Sequence, residues 1–321
     1  MKKIDNSPLV TIGIPVYNGG KYIVETLVSI QKQTYTNFEC HIVNNASTDA
    51  TEDLVSDFIK DDPRFTIHSY AEFMDIGTNW NRTVQYIKEE TKYFQIVAAD
   101  DLLYPDALES HIMLMEKYPG AGIASAYRLY GKSVKGYGLD YFEGNYRDGK
   151  EMLVKHLKNE ISITGSVTQN FYKVEYLKKL SFYPEIYIDD DIHFDTRLAY
   201  EVLFISDLVF SFKILSLTRT HPESVTSTVT RKLYTPILGR ENRLYRFREH
   251  FPELNKHYSI IRRRYAYFLI MNYLTLNIKN IKWHKKNLKR KITFSEFIAG
   301  VLWENIFTRS VSRINRRYIS L

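Results

Sequence analysis

The chain has 321 residues, 44% of them hydrophobic, enough for one large or two modest domains around a buried core. Its single cysteine, Cys40, excludes an intrachain disulfide, fits a reducing compartment and reads as a small core hydrophobe. The net charge of +7 hides a division: from Arg231 onward there are 21 Lys and Arg against 5 Asp and Glu, a net of +16, and the rest of the chain carries −9. An acidic body joined to a basic surface is expected, the latter suited to nucleic acid or anionic lipid.

Met1-Lys2-Lys3 resembles the start of a signal peptide, but Asp5-Asn6-Ser7-Pro8 stands where an apolar run should begin, so a cytoplasmic protein is expected. Apolar runs at 9–15, 38–43, 65–70 and 93–98 read as short strands. Segments 22–33, 51–60 and 78–88 between them carry apolar residues at helical spacing. This alternation to about residue 117 predicts βαβ units and a mostly parallel sheet, with ligands beyond the carboxyl ends of its strands. Pro15-Val16-Tyr17-Asn18, Asn44-Asn45-Ala46-Ser47 and Ala99-Asp100-Asp101 fall at those ends and should border one crevice. Neither a GxGxxG fingerprint nor a Walker loop follows the first strand, which disfavours a dehydrogenase or a P-loop enzyme.

The stretch IVAADDLLYPDAL (96–108) ends an apolar run in two adjacent acids. Paired carboxylates at the end of a buried strand repel, and their burial is costly unless a cation or donors compensate. Beyond it, 121–130 reads as an inner strand, 131–149 as a Gly- and Tyr-rich insertion and 166–172 as a further strand. YIDDDIHFDTRLA (187–199) places Asp189, Asp190 and Asp191 before a helical continuation. Such a cluster can cap a helix, or it can raise one pKa and so furnish a base.

TIGIPVYNGGKYIVETLVSIQKQTYTNFECHIVNNASTDAT, DIGTNWNR, AADDLLYPDALE, DDDIHFDTRLA and RTHPESVT together resemble glycosyltransferase family 2, enzymes of GT-A fold, over about residues 8–228. The resemblance implies an α/β, GT-A-type, mostly parallel nucleotide-binding sheet flanked by helices. It implies a catalytic domain at 1–230, with a donor half at about 1–118 and an acceptor half at about 119–230. It also implies a nucleotide-sugar donor and Mg²⁺ or Mn²⁺ at Asp100 and Asp101, with His221 of the Arg-x-His stretch contacting metal or phosphate. Pro15, Val16, Tyr17, Asn18, Glu25, Asn45, Asn79, Arg82 and Asp100 match donor-side positions. Asp191, beside Asp190, matches the base, and Arg197 braces its helix. The family's Asp-x-Asp-Asp is Ala98-Ala99-Asp100-Asp101 here, and its Asp-Asp or Asp-Asn is Asn44-Asn45, whose amides suit a pyrimidine. The expected enzyme inverts, moving a sugar from a UDP- or dTDP-linked donor to a hydroxyl of a bacterial glycan or lipid-linked saccharide by direct displacement. A noncatalytic nucleotide-sugar or glycan-binding protein on the same fold is the alternative.

Residues 231–321 read as a helical, basic region. The apolar run 265–278 is shorter than the roughly 20 residues a membrane span requires. The basic stretch 279–291 and the helix-like 294–307 suit either a bundle with a solvated basic face or a peripheral contact with the inner face of the cell membrane. No nucleic-acid motif accompanies the charge.

Overall fold

In the computed structural model the first seven elements alternate as β1 (Leu9–Val16), α1 (Ile23–Gln31), β2 (Phe38–Asn45), α2 (Thr51–Phe58), β3 (Phe65–Tyr70), α3 (Ile76–Val84) and β4 (Thr91–Ile96). The structure describes residues 7–181, 183, 185, 194–222, 224, 235–274, 281–282, 285–286, 288, 290–299 and 302. β1 is apolar and buried almost throughout because it pairs in parallel with β2 on one edge and β4 on the other. On one face it meets α1, whose Ile23, Leu27 and Ile30 lie in the core at helical spacing. On the other, α3 comes so close that a Cβ on Gly13 would stand 2.5 Å from Thr83 Cβ. Only glycine fits that approach.

The second half adds β5 (Leu102–Leu103), α4 (Ala107–Lys117), β6 (Ala121–Tyr130), β7 (Ser133–Lys135), β8 (Tyr146–Arg147), α5 (Gly149–Lys158), β9 (Phe171–Lys173), α6 (Val174–Leu177), α7 (Phe194–Ile205) and β10 (Asp207–Thr218). The sheet order is β3-β2-β1-β4-β9-β6-β10-β5. β6 and β10 run parallel, and β9 joins the halves as an antiparallel strand between β4 and β6. β1 is followed by β2 on one side and flanked by β4 on the other, so the loops after β1 and β4 part above a topological switch point.

Several segments differ from expectation. The strand expected at 166–172 is a 3-10 turn at Val167–Gln169 followed by the short β9, because Thr168 and Gln169 turn their side chains to Asp101 and Ala126. The fourth strand starts and ends two residues early, and Ala98 N donates to Thr168 Oγ1 (3.1 Å) instead of to a ladder. The insertion at 131–149 contains β7 and β8, pinned by Arg147, which donates to the carbonyls of Asp140, Glu143 and Tyr146.

The chain divides into Met1–Thr220 and His221–Leu321. The second unit contains α8 (Thr235–Phe247) and α9 (Leu254–Leu274) around Leu238, Tyr265 and Phe268. Arg262, fully buried, pairs with the equally buried Glu241 at 2.8 Å and with Glu296 at 3.0 Å. Among the described residues no helix is long and apolar enough to cross a membrane.

Candidate active site

The loops after β1 and β2 are bound to each other. Asn18 adopts a left-handed φ of 49°, which asparagine tolerates, and its N–H donates to Ser47 Oγ (2.9 Å). Asn18 Oδ1 in turn accepts from Thr48 N (2.8 Å). Asp49 accepts from Gly20 N (3.0 Å) and Thr51 N (3.0 Å), so it ties the β1 loop as well as the start of α2.

Asn44 donates to Glu52 (3.1 Å) and accepts from Ser47 N (3.1 Å). Asn45 exchanges two bonds with the Met74 backbone, at 2.8 and 3.0 Å, and accepts from Arg82 Nη1 at 3.1 Å. Its amide therefore fixes the loop between β3 and α3. Arg82, buried rather than solvated, stacks 3.8 Å from the Tyr70 ring. Asn79 donates to Val43 O at 3.5 Å, while its Oδ1 is buried without a hydrogen-bond partner among the described residues. In the same region Tyr17 and Phe73 stand exposed edge to face, ring centroids 4.7 Å apart. Phe73 has no signal in the sequence, since an isolated aromatic in a loop belongs to no period.

Beyond β4, the Asp101 carboxylate is 2% exposed. Oδ2 accepts from Thr168 Oγ1 (2.7 Å) and Thr218 Oγ1 (3.4 Å), and Oδ1 accepts from Arg219 N (3.2 Å). Arg128, on β6, donates to Thr218 Oγ1 (3.1 Å) and Gly165 O (3.0 Å), placing a guanidinium one hydroxyl away from Asp101. Burial, and then the neighbouring Asp100 charge, push the Asp101 pKa up to about 7 against the opposing pull of these donors. Burial lowers the pKa of Arg128.

Arg219 organises the turn. It donates through Nε to Asp100 O, through Nη2 to Tyr22 O (3.1 Å) and Thr26 Oγ1 (3.0 Å), and pairs through Nη1 with Glu25 (2.5 Å). Thr26 Oγ1 also bonds Ala99 O (2.9 Å) and Asp101 O (2.8 Å), so α1, the acidic turn and the end of β10 form one knot. Glu25, expected at the donor, is here the partner of Arg219. In the sequence Arg219 belongs to the Arg-x-His stretch with no sign of its bonds to α1, and Arg128, Thr168 and Thr218 lie too far along the chain to be connected with Asp101.

Asp100 and Asp101 fit a hard divalent cation: both offer oxygen, and Asp101 is buried beside a like charge. No group of three His, Cys, Asp or Glu that could hold a metal occurs among the described residues. Arg197, on α7, lies 4.0 Å from Glu201. Asp189, Asp190 and Asp191 lie outside the described residues, and His221 opens the second unit.

The family model for "Glycosyl transferase family 2" matches residues 11–181. An uncharacterised glycosyltransferase of Rickettsia typhi is 29% identical over 238 residues, 73% of this chain and 70% of that one. Glycosyltransferase GlyG of Streptococcus pneumoniae is 24% identical over 217 residues, 64% of this chain and 71% of GlyG. Among solved structures, Staphylococcus aureus TarS 1–349 in complex with UDP-GlcNAc superposes with a TM-score of 0.58 at 15% identity, covering 74% of this chain and 66% of that one. The Pyrobaculum calidifontis mannosyltransferase PcManGT, in complex with GDP-Man and Mn²⁺, superposes with a TM-score of 0.53 at 16% identity, covering 95% and 88%. At such identities the structural likeness shows the GT-A fold alone.

Proposed function

The chain belongs to glycosyl transferase family 2 and is a glycosyltransferase, and from that premise we propose that it moves a sugar, with inversion, from a UDP- or dTDP-linked donor to a hydroxyl of a bacterial glycan or lipid-linked saccharide. The observation that carries this reading is the buried Asp101 carboxylate beside Asp100 at the switch point of the sheet. Mg²⁺ or Mn²⁺ bound there would neutralise charge on the departing nucleoside diphosphate. The complexes of TarS with UDP-GlcNAc and of PcManGT with GDP-Man and Mn²⁺ support a nucleotide-sugar donor and a divalent cation.

In this reading Thr168, Thr218 and the Arg219 N–H hold the Asp101 carboxylate in one orientation, and Arg219 fixes the turn through Asp100 O. Tyr17, with Phe73 beside it, offers an exposed ring to the base. Pro15, Val16, Asn18 and Asn79 border the donor, and Asn45 and Arg82 act by bracing the Met74 loop. Asp191, or Asp190 in its place, takes the proton of the acceptor hydroxyl on the side of the anomeric carbon opposite the leaving group. One such displacement inverts the centre.

The test is a panel of UDP-, dTDP- and GDP-sugars, assayed for thermal stabilisation and for hydrolysis with Mn²⁺ or EDTA. Stabilisation by a UDP- or dTDP-sugar with Mn²⁺, and its loss in EDTA, is expected. Indifference to every donor, or undiminished turnover in EDTA, would sink the proposal.

A further inference from the structure

In the second unit the stretch around residue 290 has two distinct sides. Leu288 and Ile292 pack against the Leu238, Tyr265 and Phe268 core, and Glu296 reaches the buried Arg262 at 3.0 and 3.1 Å. Thr293 and Glu296 close a capping box, Thr293 N donating to Glu296 Oε2 (2.9 Å) and Glu296 N to Thr293 Oγ1 (3.3 Å). The inward residues are thus 288, 292 and 296, and the helical turn that begins at Phe294 is anchored by its carboxylate.

The opposite side is apolar and exposed. Phe294 is 77% and Ile298 43% exposed, four residues apart on one helical turn and so in one stripe, and Leu302 is 57% exposed. Lys282, Lys285, Lys286, Arg290 and Lys291 are exposed as well, Arg290 pairing with Glu296 at 2.6 Å. Over 281–302 the sequence has six Lys and Arg against one acid, Glu296, and that acid points inward. An apolar stripe accompanied by charge of one sign is complementary to a surface that is anionic at its face and hydrocarbon beneath, which describes an anionic bilayer. A second copy of this face would bring like charges together.

We propose that this face docks on an anionic phospholipid bilayer, with Phe294, Ile298 and Leu302 entering the headgroup boundary and Lys282, Lys285, Lys286 and Lys291 against the phosphates. The inference rests on the reading of a lipid-linked acceptor and names the surface that would bring the enzyme to it.

Flotation of the full chain with phosphatidylglycerol–phosphatidylcholine vesicles, and with phosphatidylcholine alone, tests it. Binding to the anionic vesicles at low salt is expected, and it should weaken as salt shortens the Debye length to about 8 Å. Lys282→Gln, Lys285→Gln and Lys286→Gln should each lower that binding about fivefold. Phe294→Ser combined with Ile298→Ser should remove most of it with little change in salt dependence, and the single Phe294→Ser guards against loss of fold. A wild-type chain that ignores anionic vesicles, or variants that bind as it does, would overturn the proposal. So would a lipid-free dimer, seen by sedimentation, that Phe294→Ser dissolves. Metal-dependent donor hydrolysis in the same preparations separates the two readings: hydrolysis without flotation removes the docking face alone, and flotation without hydrolysis removes the transferase site alone.

Discussion

Asp101 holds a carboxylate where burial and Asp100 both oppose its charge, and its pKa rises to about 7. Because the folded form then holds a proton that the unfolded chain releases near the ordinary carboxylate value, stability falls as pH rises between about 4 and 7, by at most about 1.4 kcal/mol per pH unit. Asp101→Asn cannot titrate. Its melting temperature without metal should therefore overtake that of the wild type as pH rises to 8, while UDP with Mn²⁺ should stabilise the wild type only. Parallel melting profiles from pH 4 to 8 would show that the burial penalty is not paid at Asp101. Asp191→Asn keeps the shape of the proposed base and removes its proton acceptor, so donor-induced stabilisation should persist while transfer falls by about 10² to 10⁴. Retained transfer would move the role to Asp190. The acids themselves were legible in the sequence because two carboxylates after an apolar run are chemically anomalous. Their partners were not: Thr168 and Thr218 are common residue types, and only the folded sheet brings them within 2.7 and 3.4 Å of Asp101.

Among the elements, strands 9–15, 38–43 and 65–70 were readable from their apolar runs, whereas β5, β7, β8 and β9 are two or three residues long and carry no period. The contacts between elements were hidden as well. His41 on β2 and His68 on β3 meet nitrogen to nitrogen at 3.0 Å, His68 stacks on Tyr86 at 3.7 Å, and Tyr86 shares a hydroxyl contact of 3.0 Å with Tyr70. Arg82 lies over Tyr70 and bonds Asn45, so the stack braces the Met74 loop that Asn45 holds. One imidazole must donate and the other accept, which two protonated rings cannot do. Burial lowers both pKa values; Glu39 opposes it at His41, and the His41 charge adds to it at His68. Lys88, paired with Glu39, also lowers His41. A base with a depressed folded pKa contributes its stability above the unfolded value, about 6.5, and loses it as pH falls. The wild-type melting temperature should accordingly drop below about pH 6.5, and His68→Phe, which keeps a ring on Tyr86, should flatten that drop. Identical acid profiles for the two proteins would assign the acid sensitivity elsewhere.

Across the whole molecule, the chain sets an acidic body of net charge −9 against a basic end of +16, and the basic end still builds a core. The sequence left open whether that end is a bundle or a membrane contact. The Arg262 network builds a core there, and the exposed Phe294 and Ile298 leave the proposed docking face to be tested. Arg262 and Glu241 are each fully buried, so neither charge is stable there without the other. The hydrogen bonds to Glu296 from Arg262 and Thr293 overcome the cost of its burial and hold its pKa at about 2. Removing one partner of such a pair costs about 3–5 kcal/mol, because the remaining charge stays buried, whereas replacing both by apolar groups of similar volume is often near neutral. Arg262→Met should therefore destabilise the second unit strongly, and Glu241→Leu with Arg262→Met should recover much of the loss, less what Glu296 forfeits. Calorimetry is the measurement. Because the two units have separate cores, the transition that shifts in Arg262→Met should be the one UDP with Mn²⁺ leaves in place, while the nucleotide-sensitive transition of the first unit stays near its wild-type temperature. A single transition that moves as a whole would mean that the units unfold together, and a double variant weaker than Arg262→Met would mean that Glu241 and Arg262 are not each other's compensation.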